Sequence, residues 1–209
     1  MTEQNSYQTK YKARQPRQQR GRHTKERIMN AAEELFITHG YHGTDSKQIA
    51  RHAGVSTGSF YSYFHDKKDV FIVVVWDRVQ RTTAAMKEYI NSRDRSNNTR
   101  EIMSGLIDLT MEHLSPELFR EVTILKYHDA DVRNLQERTT EMASELLSPL
   151  IKSMDNRLRV TDLEAGIEMI IITVMEVVHT ATIFSQRIPR ERIINELIDM
   201  VNEYLWKNS

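Results

Sequence analysis

From Thr44 to Lys67 the chain reads Thr-Asp-Ser-Lys-Gln-Ile-Ala-Arg-His-Ala-Gly-Val-Ser-Thr-Gly-Ser-Phe-Tyr-Ser-Tyr-Phe-His-Asp-Lys. This order predicts two short helices joined by a tight turn. Thr44 or Asp45 stands where its side-chain oxygen can accept a hydrogen bond from a first-turn amide. Asp45 with Gln48 three residues on has the spacing of a capping box. Ile49, Ala50 and Ala53 form a narrow apolar stripe. Gly54 supplies the positive φ that ends a helix, Val55 turns toward a core, and Ser56 caps the second helix. Phe60 and Phe64, four residues apart, face inward. Thr57, Ser59, Tyr61 and Tyr63 are left facing outward or sideways, and Lys67 lies just past the helix end.

The outward set suits contact with a polyanion. Ser, Thr and Tyr hydroxyls, backbone amides at a helix start, and Lys all donate to phosphate oxygens. Gly58 removes a side chain where a surface would approach most closely. The same spacing also fits a plain two-helix corner with a solvated face.

Other residues stand in fixed register around this unit: Ile28-Met-Asn-Ala-Ala-Glu-Glu-Leu-Phe36, Gly40-Tyr-His-Gly-Thr44, Ile49-Ala50, Ala53-Gly-Val-Ser56, Gly58, Tyr61, Tyr63-Phe64, Lys67 and Val70-Phe71. Residues 23–71 thereby resemble the N-terminal domain of TetR-family transcriptional regulators. The resemblance implies an all-α chain, with a three-helix helix-turn-helix DNA-binding domain followed by a C-terminal helical ligand-binding and dimerisation bundle. It implies a second helix at residues 46–52 and a recognition helix at 57–63. It brings Thr57, Gly58 and Ser59 nearest the base edges, with Tyr61 spanning base and backbone. Thr44, Ser46, Lys47, Tyr63 and Lys67 would hold phosphates, and Ser56, at the head of the recognition helix, is counted with the DNA-binding set. The recognition helix carries no Arg, Lys, Asn or Gln between Val55 and Phe64, and the strong bidentate base pairings need such side chains. Specificity would then fall to hydroxyls, thymine-methyl contacts, DNA shape or residues outside the helix.

A net charge of zero over 209 residues argues at first against a nucleic-acid binder, but its distribution reverses that. Residues 1–70 hold 12 Lys and Arg against 7 Asp and Glu, and the remainder holds 17 against 22. Basic charge is thus segregated onto the half with the motif. The leader 1–22 has too little apolar surface to fold alone. Arg14, Arg17, Arg20 and Arg22 make it either a solvated tail or a flexible basic arm on the phosphate backbone or in the minor groove. Arg20 and Arg22 would be its DNA contacts.

The chain has no cysteine, which excludes disulfides and thiolate metal sites. No N-terminal apolar run resembles a secretory signal. The most apolar stretch, 167–184, contains Glu168, Glu176 and His179, which argues for a buried helix over a membrane span. A cytoplasmic protein with no membrane partner is expected.

Helical periodicity continues through the chain. Ile28, Ala31, Ala32, Leu35 and Phe36 mark one face of a helix over 24–39, ended by Gly40. A long helix is expected over 66–91. Its opening, Val-Phe-Ile-Val-Val-Val-Trp at 70–76, would by propensity alone be a strand; the family resemblance and the helical continuation override that. Further helices are expected at 99–113, 116–128, 130–154, 162–186 and 189–206, with prolines 116 and 189 at or near first turns and Asp162 as a cap. The functional domains are expected at 23–70 for DNA and 71–209 for effector binding and dimerisation. The charged loop 92–98 is expected to separate the two parts in space.

The 162–186 helix is apolar nearly all round, so a second subunit is expected to cover one side of it. Ile170, Val174 and Val178, with Ile194, Ile198 and Val201 of the last helix, are the candidates for a four-helix dimer interface. Two-fold symmetry also suits paired recognition helices on a palindromic operator. The resemblance implies an effector pocket between residues 78 and 180 for a largely apolar small molecule. Met86, Met103, Met111, Phe119, Tyr127 and Met142 are candidate walls. Glu176 and His179 share a helical face. They could pair with each other, orient a polar effector group, or sit at the dimer seam.

No second Glu-x-x-His accompanies that pair, so neither metal nor cofactor is expected. No phosphate loop, nucleophile elbow or paired-His metal helix is present, so catalysis is not expected either. The leading reading is a homodimeric repressor released from operator DNA by an effector. The alternatives are a ligand-responsive activator, a co-repressor-dependent regulator, or a helical interaction protein without DNA binding.

Overall fold

The computed structural model describes residues 19–93, 99–113, 115–154, 158–184 and 187–206. The described residues form an all-α protein. Its helices are α1 (Gln19–His39), α2 (Ser46–His52), α3 (Thr57–Tyr63), α4 (Lys67–Ser92), α5 (Thr99–His113), α6 (Pro116–Leu125), α7 (Ala130–Met154), α8 (Leu163–Ile183) and α9 (Arg190–Leu205). Among the described residues, extended pairing is limited to one isolated antiparallel bridge between Leu158 and Trp206. The chain divides into two compact units, Met1–Asp77 and Arg78–Ser209. The division falls inside α4 rather than at the polar loop 92–98, most of which lies outside the described residues, as do Arg14 and Arg17 of the leader.

The first unit is built on the apolar face of α1. Ile28, Ala31, Ala32 and Phe36 are buried, and Gly40 ends the helix at φ 71°. Phe36 meets the Phe71 ring edge-on at 5.2 Å, and Tyr41 packs on Phe71 at 5.1 Å, a geometry that aligns ring quadrupoles favourably. α1 starts at Gln19, earlier than residue 24, so Arg20 and Arg22 stand on its first turns and not on a flexible arm.

The β-branched opening of α4 is helical because burial decides its conformation. Val70, Phe71, Ile72, Val74 and Trp76 are all buried, and tertiary packing of such a face outweighs weak intrinsic propensity. The helix is tied at its start. Asp66 Oδ1 accepts from the Asp69 amide at 2.9 Å, and Asp69 Oδ2 accepts from the His65 amide at 2.8 Å. Burial pushes the Asp69 carboxyl above its usual range, against the pull of the His65 amide.

In the second unit α8 packs against α5, α6, α7 and α9. Its Gly166, Ile167, Ile170, Ile171, Val178, His179 and Ala181 are buried. Asp162 caps it through the Ala165 amide at 3.1 Å. Ser115 caps α6 ahead of Pro116. The outer face of α8 stays open, with Met169 44% and Ile172 58% exposed. The expected all-round burial is therefore not completed within the chain.

Candidate nucleic-acid interface

Local chemistry builds the α2–turn–α3 unit. Asp45 is the cap of α2, accepting from the amides of Lys47 and Gln48 at 2.8 Å each, while Gln48 Oε1 accepts from the Asp45 amide at 2.8 Å. This is the reciprocal box its spacing predicts. The Gln48 amide, followed by that of Lys47, holds the Asp45 carboxyl below its usual range. At the other end of α2, Gly54 takes φ 63°. The Val55 amide donates to Ala50 O at 2.9 Å and the Gly54 amide to Arg51 O at 3.0 Å, the paired closure of a Schellman motif. Ser56 Oγ then accepts from the Ser59 amide at 3.0 Å and starts α3.

Phe60 and Phe64 anchor α3 inward, both essentially without solvent exposure. Ser56, Thr57, Gly58 and Tyr61 face solvent, Tyr61 at 53% exposure, while Ser59 and Tyr63 are half-buried. A Cβ placed on Gly58 would meet nothing nearer than Ser56 Oγ at 4.0 Å. Neither the space inside the chain nor a positive φ requires glycine there. Ser62, exposed and bonded to Gly58 O at 3.0 Å, belongs to the same surface and was not among the expected residues. On α2, Lys47 is exposed and Ser46 half-buried; Arg20 and Arg22 are exposed on α1.

Two expected phosphate ligands are otherwise engaged. Thr44 is buried, and its hydroxyl donates to Gly40 O at 2.9 Å and Leu35 O at 3.2 Å. It closes the α1–α2 loop, because a buried hydroxyl without partners is costly. Lys67 Nζ donates to Tyr41 O at 2.7 Å and Thr44 O at 2.9 Å. Its charge therefore serves the same loop. Long-range ties also escaped sequence reasoning. Glu34 on α1 meets His52 on α2 at 2.6 Å, and Arg27 on α1 donates to Ala53 O and Gly54 O. No periodic signal marks partners 18 to 27 residues apart.

In the second unit the expected effector residues divide. Met103 is buried in the core, with Met86 and Met111 packed against it. Met142 is half-buried, its sulfur accepting from Thr83 Oγ1 at 3.2 Å. Phe119 lies against the buried His179 ring, centroids 4.0 Å apart. His179 Nε2 is buried with no hydrogen-bond partner. Burial holds this imidazole below its ordinary pKa, with Glu176 pulling it up and Lys126 pushing it down. Tyr127 is 70% exposed and Glu176 is exposed, so neither forms an interior wall. The Glu176–His179 pair splits between solvent and core because a carboxylate is costly to bury.

The expected dimer residues also move. Ile170, Val178, Ile194, Ile198 and Val201 are buried among helices of their own chain, and Val174 is half-buried against the same core. The large apolar side chains left exposed on α8 and α9 are Met169, Ile172 and Met200.

Comparison with known proteins agrees with this construction. The family described as bacterial regulatory proteins, tetR family, matches residues 28–74. An uncharacterized HTH-type transcriptional regulator in the lacX 3′ region of Lactococcus lactis subsp. lactis is 28% identical over 147 residues, 63% of this chain and 74% of that protein. The fatty acid metabolism regulator protein of Bacillus subtilis is 33% identical over 66 residues, 32% of this chain and 34% of that protein. The transcriptional regulator FadR from Bacillus subtilis, solved in complex with stearoyl-CoA, has the same fold, with a TM-score of 0.66 at 22% identity over 86% of this chain and 98% of that one. With its helix-turn-helix geometry in place and that match lying across it, residues 28–74 of this chain form a DNA-binding domain of the tetR family of bacterial regulatory proteins.

Proposed function

We propose that the chain is a homodimeric, cytoplasmic repressor that leaves a palindromic operator when a largely apolar small molecule binds its C-terminal unit. The observation that carries the DNA half is the outward face of α3. It is rich in hydroxyls that can donate to phosphates and base edges, and open at Gly58, where a helix in the major groove can approach closely. On this reading Thr57, Gly58, Ser59 and Tyr61 face base edges, Ser46, Lys47 and Tyr63 hold phosphates, and Arg20 and Arg22 add backbone contacts. Residues 23–70 serve as the DNA-binding domain and 71–209 as the effector and dimer domain.

Exposed Met169, Ile172 and Met200 support a second copy on the outer face of α8 and α9, since apolar groups at such a patch favour burial. The orphaned His179 Nε2 beside Phe119 supports an effector that brings one hydrogen-bonding group into apolar surroundings. The stearoyl-CoA in the Bacillus subtilis FadR structure supports a long apolar ligand as the first probe class. α4 crosses the division between the units and would transmit the change. The effector must prefer the dimer spacing that does not fit the operator.

The test is a duplex selected from a random-sequence library by the full chain, followed by occupancy with and without long-chain acyl-CoA. A palindromic duplex whose occupancy falls with a ligand that also raises thermal stability is the expected result. Occupancy that rises with the ligand would make the chain co-repressor-dependent. A selected sequence without symmetry would overturn the dimeric reading.

A further inference from the structure

We infer that Arg27, on α1, is a positioning residue for DNA reading, setting the direction in which the recognition helix leaves the turn. The Schellman closure of α2 uses the carbonyls of Ala50 and Arg51. The carbonyls of Ala53, the C-cap, and Gly54, just beyond it, lie near the negative end of the α2 dipole. Arg27 Nη2 donates to both, at 3.0 Å to Gly54 O and closer to Ala53 O. One nitrogen thus grips two successive carbonyls immediately before Val55 and the Ser56 cap.

Gly54 is matched to this grip. A Cβ there would lie 2.6 Å from Arg27 Nη2, so the glycine makes room for the guanidinium as well as taking positive φ. α3 has only seven residues. Its inward anchors, Phe60 and Phe64, fix depth, while its heading depends on the peptide planes before Ser56. A recognition element works only within about 0.5 Å and 10–20° of its productive geometry. The two N–H bonds of Nη2 are fixed in the guanidinium plane and so aim at the two carbonyls in set directions, whereas an ammonium turns freely about its last bond.

The side chain is not enclosed, so a direct phosphate contact is the competing role, and salt dependence separates the two. Full-length Arg27→Gln and wild type are compared on the best duplex that the wild type recovers from a random-sequence library, and on poly(dI-dC), over a salt series. Positioning predicts that the ratio of specific to non-specific affinity falls about tenfold or more, with non-specific affinity and salt slope unchanged. A parallel loss on both DNAs, with the slope lowered by about one ion, would make Arg27 a phosphate ligand and overturn the proposal. So would an unchanged ratio.

Arg27→Lys keeps the charge and covers the case in which Arg27→Gln does not fold. Positioning predicts an intermediate ratio for it, and a wild-type ratio would show that the two-carbonyl grip is not needed. The proposal rests on DNA reading by α3. If the wild-type chain recovers no duplex, both fall; if it recovers one and the ratio is unmoved, only the role of Arg27 falls.

Discussion

Lys67 Nζ donates to the carbonyl of Thr44 at 2.9 Å and so ties the first turn of α4 to the loop entering α2. Tyr41 O accepts from the same ammonium at 2.7 Å, and the Tyr41 ring lies 4.3 Å from it. The cation is part of the scaffold that presents α3. Lys67→Met keeps the apolar stem and removes these donors, and should cost about 1.5–3 kcal/mol of stability. Denaturant titration of the full chain measures this. A side chain serving only phosphate would leave the midpoint unmoved.

His179 gives the second unit a defined pH response. Burial depresses its pKa, so the unfolded chain takes up this proton at a higher pH than the folded chain does. Stability is then flat above the unfolded value of about 6.5. It falls as the pH drops from there to the lower folded value, because only the unfolded state is gaining a proton. His179→Phe should flatten that part of the wild-type profile, read as denaturant midpoints from pH 7.5 downward. A variant with the same slope as wild type would show that this imidazole does not carry the response.

Ile172 is exposed on the open face of α8. Ile172→Glu puts a charge where a second copy would cover it and should leave the fold intact. Sedimentation should shift toward the monomer. Affinity for a palindromic duplex should fall by about a hundredfold or more as two linked half-sites become one. An unchanged sedimentation profile would move the interface elsewhere.

The caps at Asp45, Ser56 and Asp162 were legible because each joins a side chain to an amide two or three residues away. The glycine end at Gly54 was legible for the same reason. The ties from Arg27 to Gly54, Glu34 to His52 and Lys67 to Thr44 span 18 to 27 residues and leave no mark in local spacing. Thr44 reads as an exposed cap or phosphate ligand until the α1–α2 loop buries it. The apolar stripes of α8 and α9 were legible as stripes. Spacing does not distinguish a face turned to the chain's own core from one turned to a partner. Ile170 and Ile198 therefore proved interior, while Met169, Ile172 and Met200 hold the open surface.

Gly58 tests the central claim most directly, because the fold itself does not need glycine at that position. Its site on α3 is open within the chain, and alanine gains up to about 1 kcal/mol in a helix interior. Full-length Gly58→Ala should therefore melt at or above the wild-type temperature. If α3 enters the major groove with Gly58 at closest approach, the same variant should bind the selected duplex about tenfold or more weakly. Wild-type affinity in a stably folded Gly58→Ala chain would contradict that docking.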